Sequence, residues 1–265
     1  MSLIDSHCHL KSFHDKGDLK EVLDRADEAG VTKLVTVGTS FDDWSLYKDL
    51  SFLHEGRIFY TVGIHPSYVT KEWEKYTEVI YRYWEQKNIP VAIGEIGLDY
   101  FRLPKDKYKA DEIIENQKNC FYGQLLIAKQ LDCPVVIHSR NAFRDCVNMI
   151  LKAGIAWSKV VFHCFSESHQ KAFEILEYGG NLSFTGMVTY SKNTDLIKTI
   201  KCIKGNQFMV ETDCPYLSPE PFRKFVNEPS RLPLIIESLA SILETNAKVI
   251  ENITSNQAME FFSLS

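Results

Sequence analysis

The chain has 265 residues, enough for one or two ordinary domains or for a single α/β barrel of about 250 residues. Hydrophobic residues make up 45% and charged residues 25% of the sequence, which excludes disordered, collagen-like and membrane-spanning classes. The formal net charge is -5, from 30 Lys and Arg against 35 Asp and Glu, so no global positive field attracts nucleic acid. A polyanionic substrate would therefore need local cations or a bound metal.

Cysteine usage and the first residues bear on the cellular compartment. Seven cysteines are scattered along the chain without a C-x-x-C pair, which argues against a disulfide framework or a structural zinc site. The first residues, MSLIDSHCHL, contain no basic segment followed by an apolar stretch. We therefore expect a cytoplasmic protein with reduced thiols and no membrane association.

Short apolar, β-branched runs alternate with helical stretches along the chain. Such continuous apolar runs are typical of strands covered on both faces, as in a parallel sheet. The predicted strands span residues 2–6, 33–38, 58–63, 91–94, 134–137, 159–162, 181–185 and 208–211. Eight strands alternating with helices predict a (β/α)8 TIM barrel, with an open doubly wound sheet as the alternative. No linker-like stretch divides the chain, so we expect one domain over residues 1–265.

Amphipathic spacing marks the clearest helices. It predicts helices over residues 18–30, 109–131, 168–178, 231–243 and 246–262. Gly30 ends the first of them and Gly179 follows the third, since glycine commonly ends a helix. A proline-rich loop separates the eighth predicted strand from the last two helices.

Histidines and carboxylates follow several of the predicted strands. His7 and His9 come after the first strand, and strand alternation points both imidazoles to one side with Cys8 opposite. An isolated H-x-H pair is more often two loop histidines than a metal site. Four more candidate metal-binding side chains each follow a different predicted strand: Glu95, His138, His163 and Asp213.

The carboxyl ends of the strands in a TIM barrel converge on one face, where active sites are found. Four histidines and two carboxylates from five strands would meet there. Ionised carboxylates are costly to bury without a cation. We therefore predict a metal cluster at this face of the barrel.

Three further residues reach the same face. His65, in G-I-H-P, either contacts substrate or is a loop element before proline. Arg140, in H-S-R, either binds a phosphate or forms a surface ion pair. Glu211 shares the side of Asp213 by alternation, and we expect it to hydrogen-bond a ligand residue. His65 and Arg140 are thus candidate substrate-binding residues.

The ordered motifs D-S-H-C-H, G-I-H-P, G-E-I-G-L-D-Y, V-I-H-S-R, H-C-F-S and E-T-D-C-P-Y-L resemble those of the TatD family of metal-dependent hydrolases over almost the whole chain. The resemblance implies an amidohydrolase-like TIM barrel with two divalent metal ions per chain. It also implies phosphodiester hydrolysis, as a deoxyribonuclease with 3′ to 5′ exonuclease character. The ligands that it implies are His7, His9 and Asp213 for one ion, Glu95 as the bridging carboxylate, and His138 and His163 for the second ion. We expect Mg²⁺, with Mn²⁺ or Zn²⁺ as alternatives, because a mixed nitrogen and oxygen set accepts all three.

Two positions depart from the family pattern. Glu167 stands where the family often continues H-C-F-S with glycine. Phe225 and Val226 precede an N-E-P triplet, where the family tends to carry a basic pair. Two phosphate contacts that the family pattern implies are therefore missing, so we expect few contacts to the DNA backbone away from the scissile phosphate.

Three functions remain open from the sequence. In the first, the metals activate a water that Asp213 orients or deprotonates, and the substrate is single-stranded DNA or a 3′ end. In the second, the same cluster hydrolyses an ester, amide or lactone of a small molecule. In the third, the barrel is a silent binding module, which the presence of Glu95 and Asp213 argues against. We infer no obligate protein partner.

Aromatic residues near the predicted active face offer a second way to hold an unpaired DNA end. An exposed ring can stack a base without reading its sequence, which suits a single-stranded substrate. For any one ring, packing within a loop is an equally good interpretation. The candidates are Tyr100, Phe101, Tyr216, Phe222 and Phe225.

Overall fold

The computed structural model describes residues 3–203 and 208–264. Parallel strands follow one another in chain order around one eight-stranded sheet. They are β1 (Leu3–Cys8), β2 (Val31–Thr36), β3 (Ile58–Val62), β4 (Ala92–Asp99), β5 (Val135–Arg140), β6 (Val160–Phe162), β7 (Asn181–Phe184) and β8 (Phe208–Val210). Ser2, the first residue of the first predicted strand, lies outside the described residues, as do the ends of the predicted domain.

The sheet closes where the last strand meets the first. The backbone nitrogen of Asp213 donates to the His7 oxygen at 2.9 Å, and His9 donates to the Cys214 oxygen at 2.8 Å. The sequential strand order and this closure confirm the predicted TIM barrel, and the open doubly wound sheet is wrong.

Helices surround the sheet, because each crossover between parallel strands needs one. Among the described residues they are α1 (Lys11–Lys16), α2 (Leu19–Glu28), α3 (Phe41–Leu53), α4 (Thr77–Trp84), α5 (Lys107–Leu131), α6 (Phe143–Ala153), α7 (His169–Glu177), α8 (Thr194–Cys202), α9 (Leu232–Ile242) and α10 (Ala247–Phe262). All five predicted helices are confirmed, as α2, α5, α7, α9 and α10. None of the helices in this part of the chain has the length and apolar character needed to cross a bilayer.

Strand alternation divides the apolar side chains into two clusters. The outer cluster lies between the strands and the helices and includes Leu3, Ile93 and Phe162. The inner cluster contains inward-facing strand residues together with residues from the end of the chain: Ile4, Val35, Val37, Ala92, Val136, Val161, Met209, Ala258, Phe261, Phe262 and Leu264. The end of α10 therefore packs against the strand residues inside the barrel and closes the end opposite the predicted active face.

Strands β4 and β5 extend well past their predicted ends, and β1 extends two residues past its own. Pairing between β4 and β5 continues from Ile96 opposite Ile137 to Asp99 opposite Arg140. Glu95 and His138 consequently lie within strands, although the apolar runs alone place them just after the strand ends. Backbone pairing extends the strands past the point where the side chains become polar.

Candidate metal centre

The first strand carries one extra residue just before its histidines. Between Asp5 and Cys8, β1 advances three residues while β2 advances two. Such a β-bulge re-aims the side chains that follow it. Because Ile4 belongs to the inner cluster, regular alternation would turn Cys8 inward, yet Cys8 packs in the outer cluster. The bulge thus turns His7 and His9 toward the barrel axis.

A second bulge lies in β4. Between Ile93 and Ile96, β4 advances three residues while β5 advances two. Both isoleucines belong to the outer cluster, so the extra residue turns Glu95 toward the axis. Gly97 then allows a close approach to β5, since a Cβ there would lie 2.0 Å from the carbonyl oxygen of His138 and its φ is 142°. Only glycine fits this position without strain.

One carboxylate oxygen of Glu95 faces the histidines of the first strand. The Nε2 atoms of His7 and His9 lie 3.2 Å apart. They lie 3.4 Å and 3.8 Å, respectively, from Glu95 Oε2. Asp213 Oδ1 lies 3.6 Å from His7 Nε2 and 3.3 Å from His9 Nε2. Four donor atoms from three strand ends therefore surround one point.

The other carboxylate oxygen of Glu95 faces a second pair of histidines. Its Oε1 atom lies 2.7 Å from His138 Nδ1 and 2.8 Å from His163 Nε2. The two imidazole nitrogens lie 3.4 Å from each other. The two oxygens of one buried carboxylate thus face two different pairs of histidines.

Further carboxylates lie behind the second pair. His138 Nε2 lies 3.4 Å from Asp99 Oδ2, and His163 Nδ1 lies 3.5 Å from Glu211 Oε1. The same oxygen of Glu211 accepts a hydrogen bond from the backbone nitrogen of Cys164 at 2.6 Å. Carboxylates placed behind histidines orient the rings in metal sites and increase their basicity.

Histidine neighbours keep both central carboxylates ionised. Burial alone would raise the pKa of Glu95, but the surrounding imidazoles, His163 first among them, hold it well below its usual value. Burial also opposes ionisation of Asp213, whose pKa is nevertheless lowered by His9. Burial lowers the pKa of His7. Burial also opposes protonation of His163, but Glu95 raises the pKa of this ring well above its usual value. The centre therefore places ionised carboxylates among imidazoles that lose a proton when they bind a metal.

The donor geometry fits metal ions. Metal–nitrogen bonds of about 2.0–2.1 Å place neighbouring donors roughly 3.0–3.4 Å apart, close to the separations around His7, His9 and Asp213. His9 Nδ1 lies 3.1 Å from the carbonyl oxygen of Val37, which can only accept, so the proton of a neutral ring sits on Nδ1. In a neutral ring the bare Nε2 faces the Asp213 carboxylate, an arrangement that a cation between the two atoms would stabilise. Without such a cation, Asp213 raises the pKa of His9 against the effect of burial.

Three sets of side chains at this face place one donor atom each within 4.8 Å of one another: His7, His9 and Glu95; His7, His163 and Glu211; and His65, Glu95 and His138. Glu211 in the second set also accepts the Cys164 hydrogen bond. A fourth set with the same spacing, Asp5, Cys8 and Cys214, is fully buried behind β1.

The two predicted substrate-binding residues differ in position. His65 lies within the centre, with Nε2 3.4 Å from Glu95 Oε1, and burial lowers its pKa to about 3. Arg140 is exposed at the edge, where its guanidinium carbon lies 3.8 Å from the centre of the Phe101 ring. The structure therefore places His65 among the clustered residues and Arg140 beside them.

Exposed aromatic rings border the centre. The ring of Tyr216 lies 6.1 Å from that of His9, and the ring of Tyr68 lies 6.2 Å from that of His65. Tyr216, Tyr68 and Phe101 are each more than half exposed. We call these three residues the aromatic rim. Sequence reasoning missed Tyr68, which follows G-I-H-P without a distinctive motif.

The remaining predicted aromatic residues have other surroundings. The hydroxyl of Tyr100 donates to Asp145 at 2.9 Å, so a hydrogen bond holds this ring in place. Phe222 lies beneath the guanidinium of Arg231, at 4.8 Å. Phe225 and its neighbour Val226 are exposed in the loop after β8. These two positions are therefore apolar where a basic pair is expected from the family pattern, and exposed Arg223 and Lys224 directly precede them.

Sequence reasoning also missed two buried carboxylates. Asp99 lies four residues after Glu95 on β4, so alternation alone could have placed both on one side. Asp5 accepts hydrogen bonds from the backbone nitrogen and the hydroxyl of Thr212, at 2.9 Å and 2.5 Å. Burial raises the pKa of Asp5 to about 7. Its contacts join β1 to the segment that carries Asp213.

The comparison with protein families identifies the chain. A family model described as TatD related DNase matches residues 4–263. The chain belongs to the TatD family of metal-dependent hydrolases. One TatD-family relative, the metal-dependent hydrolase YabD of Bacillus subtilis, is 32% identical over 265 residues, which cover 99% of each protein. The family resemblance inferred from the motifs is therefore confirmed.

Solved structures agree with this TatD assignment. The Escherichia coli protein YjjV, described as a TatD homologue, is 25% identical with a TM-score of 0.86, over 99% of this chain and 98% of that one. The phosphotriesterase homology protein of Escherichia coli, solved with phosphate in its active site, is 14% identical with a TM-score of 0.71 over 98% of each chain. At that identity the second likeness concerns the fold alone.

Proposed function

We propose that this TatD-family hydrolase cleaves phosphodiester bonds with two divalent ions. The observation that carries the proposal is that the two oxygens of Glu95 face different histidine pairs. Glu95 would bridge the ions, with His7, His9 and Asp213 on one and His138 and His163 on the other. Imidazole donors suit Zn²⁺, while carboxylates and water suit Mg²⁺ and Mn²⁺, so all three ions are candidates.

The chain's own residues supply the proton chemistry and the positioning. When bound, the ions would lower the pKa of a water and neutralise charge on the phosphoryl group. Asp213 is ionised, lies at the edge of the cluster and would orient the attacking water and accept its proton. Asp99 and Glu211 hold the rings of His138 and His163 from behind.

The surroundings of the centre support the end of a single DNA strand as substrate. The rim rings Tyr216, Tyr68 and Phe101 are exposed and can stack unpaired bases, each stacked base adding about 1–3 kcal/mol. Arg140 beside Phe101 offers a cation for a neighbouring phosphate. Local groups of this kind suit a net-negative protein, which cannot attract long polyanions by its overall charge. We propose 3′ to 5′ exonuclease action on this basis.

One observation favours a second candidate, a hydrolase of small esters, amides or lactones. Phe225 and Val226 expose an apolar surface in the loop after β8. This surface would suit an uncharged substrate group better than a DNA backbone. The hydroxide nucleophile would be the same, so the two candidates differ only in what surrounds the scissile bond.

Reconstitution of metal-stripped protein separates the two candidates. The protein is loaded with Mg²⁺, Mn²⁺ or Zn²⁺ and incubated with end-labelled single-stranded DNA, duplex DNA, RNA and a panel of small esters and amides. We expect single-stranded DNA to shorten from its 3′ end, with Glu95→Gln as the inactive control. Cleavage of esters alone, with intact DNA at every metal, would favour the second candidate and end the nuclease proposal.

We further propose that residues 1–265 form one cytoplasmic domain. Support comes from the continuous strand order of the barrel and from the absence of paired cysteines among the described residues. Limited proteolysis tests the domain proposal, because a single domain yields no stable half-length fragment.

A further inference from the structure

His65 has a backbone partner that determines which of its nitrogens carries the proton. Its side chain precedes the short helical turn Pro66–Tyr68, and its Nδ1 atom accepts a hydrogen bond from the backbone nitrogen of Ser67 at 3.0 Å. A nitrogen that accepts a hydrogen bond carries no proton. The ring is therefore neutral, and its proton is on Nε2.

His9 shows the opposite arrangement. The Nδ1 atom of His9 faces a carbonyl oxygen, that of Val37, at 3.1 Å, so a neutral His9 ring carries its proton on Nδ1 and is bare at Nε2. The Nδ1 atom of His65 faces an N–H group, which leaves its Nε2 atom protonated. The polarity of one backbone neighbour thus suits neutral His9 to binding a metal through Nε2 and suits His65 to donating a hydrogen bond.

The position of the His65 donor relates it to the second histidine pair. Its Nε2 atom lies 3.4 Å from Glu95 Oε1, longer than the 2.7 Å and 2.8 Å distances of His138 and His163 to the same oxygen. The N–H group thus lies beside that oxygen at a distance too long for a strong hydrogen bond, so it can donate to another acceptor. His65 is also largely buried, so water competes poorly for its proton.

We propose that His65 is a catalytic residue that donates its Nε2–H to a phosphoryl oxygen of the substrate, and is not a ligand of the second metal. This inference rests on the proposed phosphodiesterase function. A fixed donor in a largely buried site stabilises the charge that develops on that oxygen in the transition state, without reorganising during the reaction. The set His65, Glu95 and His138 is therefore a donor beside two ligands, although its spacing also fits a metal.

The experiment compares two variants with the wild-type enzyme. His65→Gln keeps an N–H donor near the position of Nε2, whereas His65→Leu removes it and keeps an apolar side chain. Each protein is loaded with Zn²⁺, and its metal content, its affinity for inorganic phosphate and its hydrolysis of bis(p-nitrophenyl) phosphate are measured. Long-range ¹H–¹⁵N correlation spectra of the wild type, metal-free and loaded, report which nitrogen of His65 is protonated.

We expect full zinc content in both variants and a protonated Nε2 in both wild-type states. His65→Leu should lower kcat by about 10²–10³-fold with little change in KM. It should also weaken phosphate binding by about ten- to a hundredfold. His65→Gln should restore most of both losses, which a merely structural role for the ring would not predict.

Three outcomes would overturn the proposal. Loss of one zinc in His65→Leu, or an unprotonated Nε2 in the loaded enzyme, would make His65 a ligand. Equal phosphate affinity in His65→Leu and wild type would remove the donor role. Phosphate affinity and ring protonation are read without turnover, so they test His65 even if bis(p-nitrophenyl) phosphate is not hydrolysed and the proposed function fails.

Discussion

The two ends of the barrel interior are built from opposite kinds of side chain. At the closed end, Phe261 and Phe262 of α10 pack with Leu264 against inward-facing aliphatic residues of the strands. At the open end, the same inward direction is taken by histidines and carboxylates that face one another at 2.7–3.8 Å. The closed end is a close-packed core, whereas the open end holds groups that burial disfavours unless they are paired or bind metal.

The difference indicates that side chains at the closed end contribute mainly to folding stability, whereas those at the open end contribute mainly to metal binding and turnover. Removal of apolar contact at the closed end should lower the free energy of unfolding. Replacement of one charged group at the open end should change metal binding and turnover while the fold persists. Each substitution below is placed at one end so that its effect at the other end can be measured too.

The largest expected effect is on turnover at the open end. Asp213→Asn is nearly isosteric but removes a negative charge and the proton acceptor of the proposed reaction. We expect kcat to fall by about 10²–10⁴-fold at saturating metal, with the thermal unfolding midpoint nearly unchanged. Steady-state kinetics and calorimetry on the same preparation measure both quantities. Retention of most of the activity would remove Asp213 from its proposed role.

At the closed end, Phe262→Ala should destabilise the fold. Phe262 is 3% exposed, and loss of a buried phenyl group costs about 3–5 kcal/mol in the free energy of unfolding. Phe52→Ala is the matched control, because Phe52 is 71% exposed and its loss should change stability by less than about 0.5 kcal/mol. Urea unfolding measures both. A folded Phe262→Ala protein that bound metal more weakly would show that the two ends are coupled.

Glu95→Gln should weaken metal binding more than it changes stability. The substitution removes the charge of the carboxylate whose two oxygens face the two histidine pairs, so repulsion between two bound dications increases. We expect the affinity for the second ion to fall more than about a hundredfold, beyond the 10- to 100-fold typical of supporting residues. Glu211→Gln is the comparison, and titration calorimetry ranks the two. Equal losses in both variants would contradict a bridging role.

The smallest effect concerns the loop after β8. Replacement of Phe225 by Lys together with Val226 by Arg would add two cations beside the open end. If this loop borders the DNA strand, the slope of log affinity against log salt should become steeper by about 0.7 for each new phosphate contact on single-stranded DNA. Fluorescence anisotropy across a salt series gives the slope. An unchanged slope would place the loop away from the substrate and support the small-molecule candidate.

The strands and their order could be predicted from sequence because they depend on local patterns, whereas the packing of the end of α10 inside the barrel depends on long-range contacts. Apolar runs such as that around Val136 mark strands, and simple alternation places His163 and Asp213 correctly. The direction in which the Glu95 side chain points could not be predicted, because it depends on an extra residue in β4 relative to β5. Whether a given strand carries a bulge is set by pairing between strands, which a single sequence does not reveal.

Individual roles within the open end were still less accessible. His9 and His65 are both histidines after strands, and the sequence offers no sign that one is bare at Nε2 and the other protonated. That difference arises from the backbone groups of Val37 and Ser67, whose orientation exists only in the folded chain. Likewise, Arg140 and His138 both follow the predicted strand 134–137. In the structure β5 continues to Arg140, which lies exposed at the edge of the cluster.

The closure between β8 and β1 has a consequence for the order of events during biosynthesis. His7 and His9 leave the ribosome early, while Asp213, which binds their backbone through the closing strand, is added about two hundred residues later. At a synthesis rate of roughly 5–20 residues per second, Asp213 is added about ten seconds or more after the two histidines. The nascent chain therefore cannot assemble the complete set of donors. Under the proposed nuclease function, a growing polypeptide beside messenger RNA would have no hydrolytic activity until its last strand has emerged.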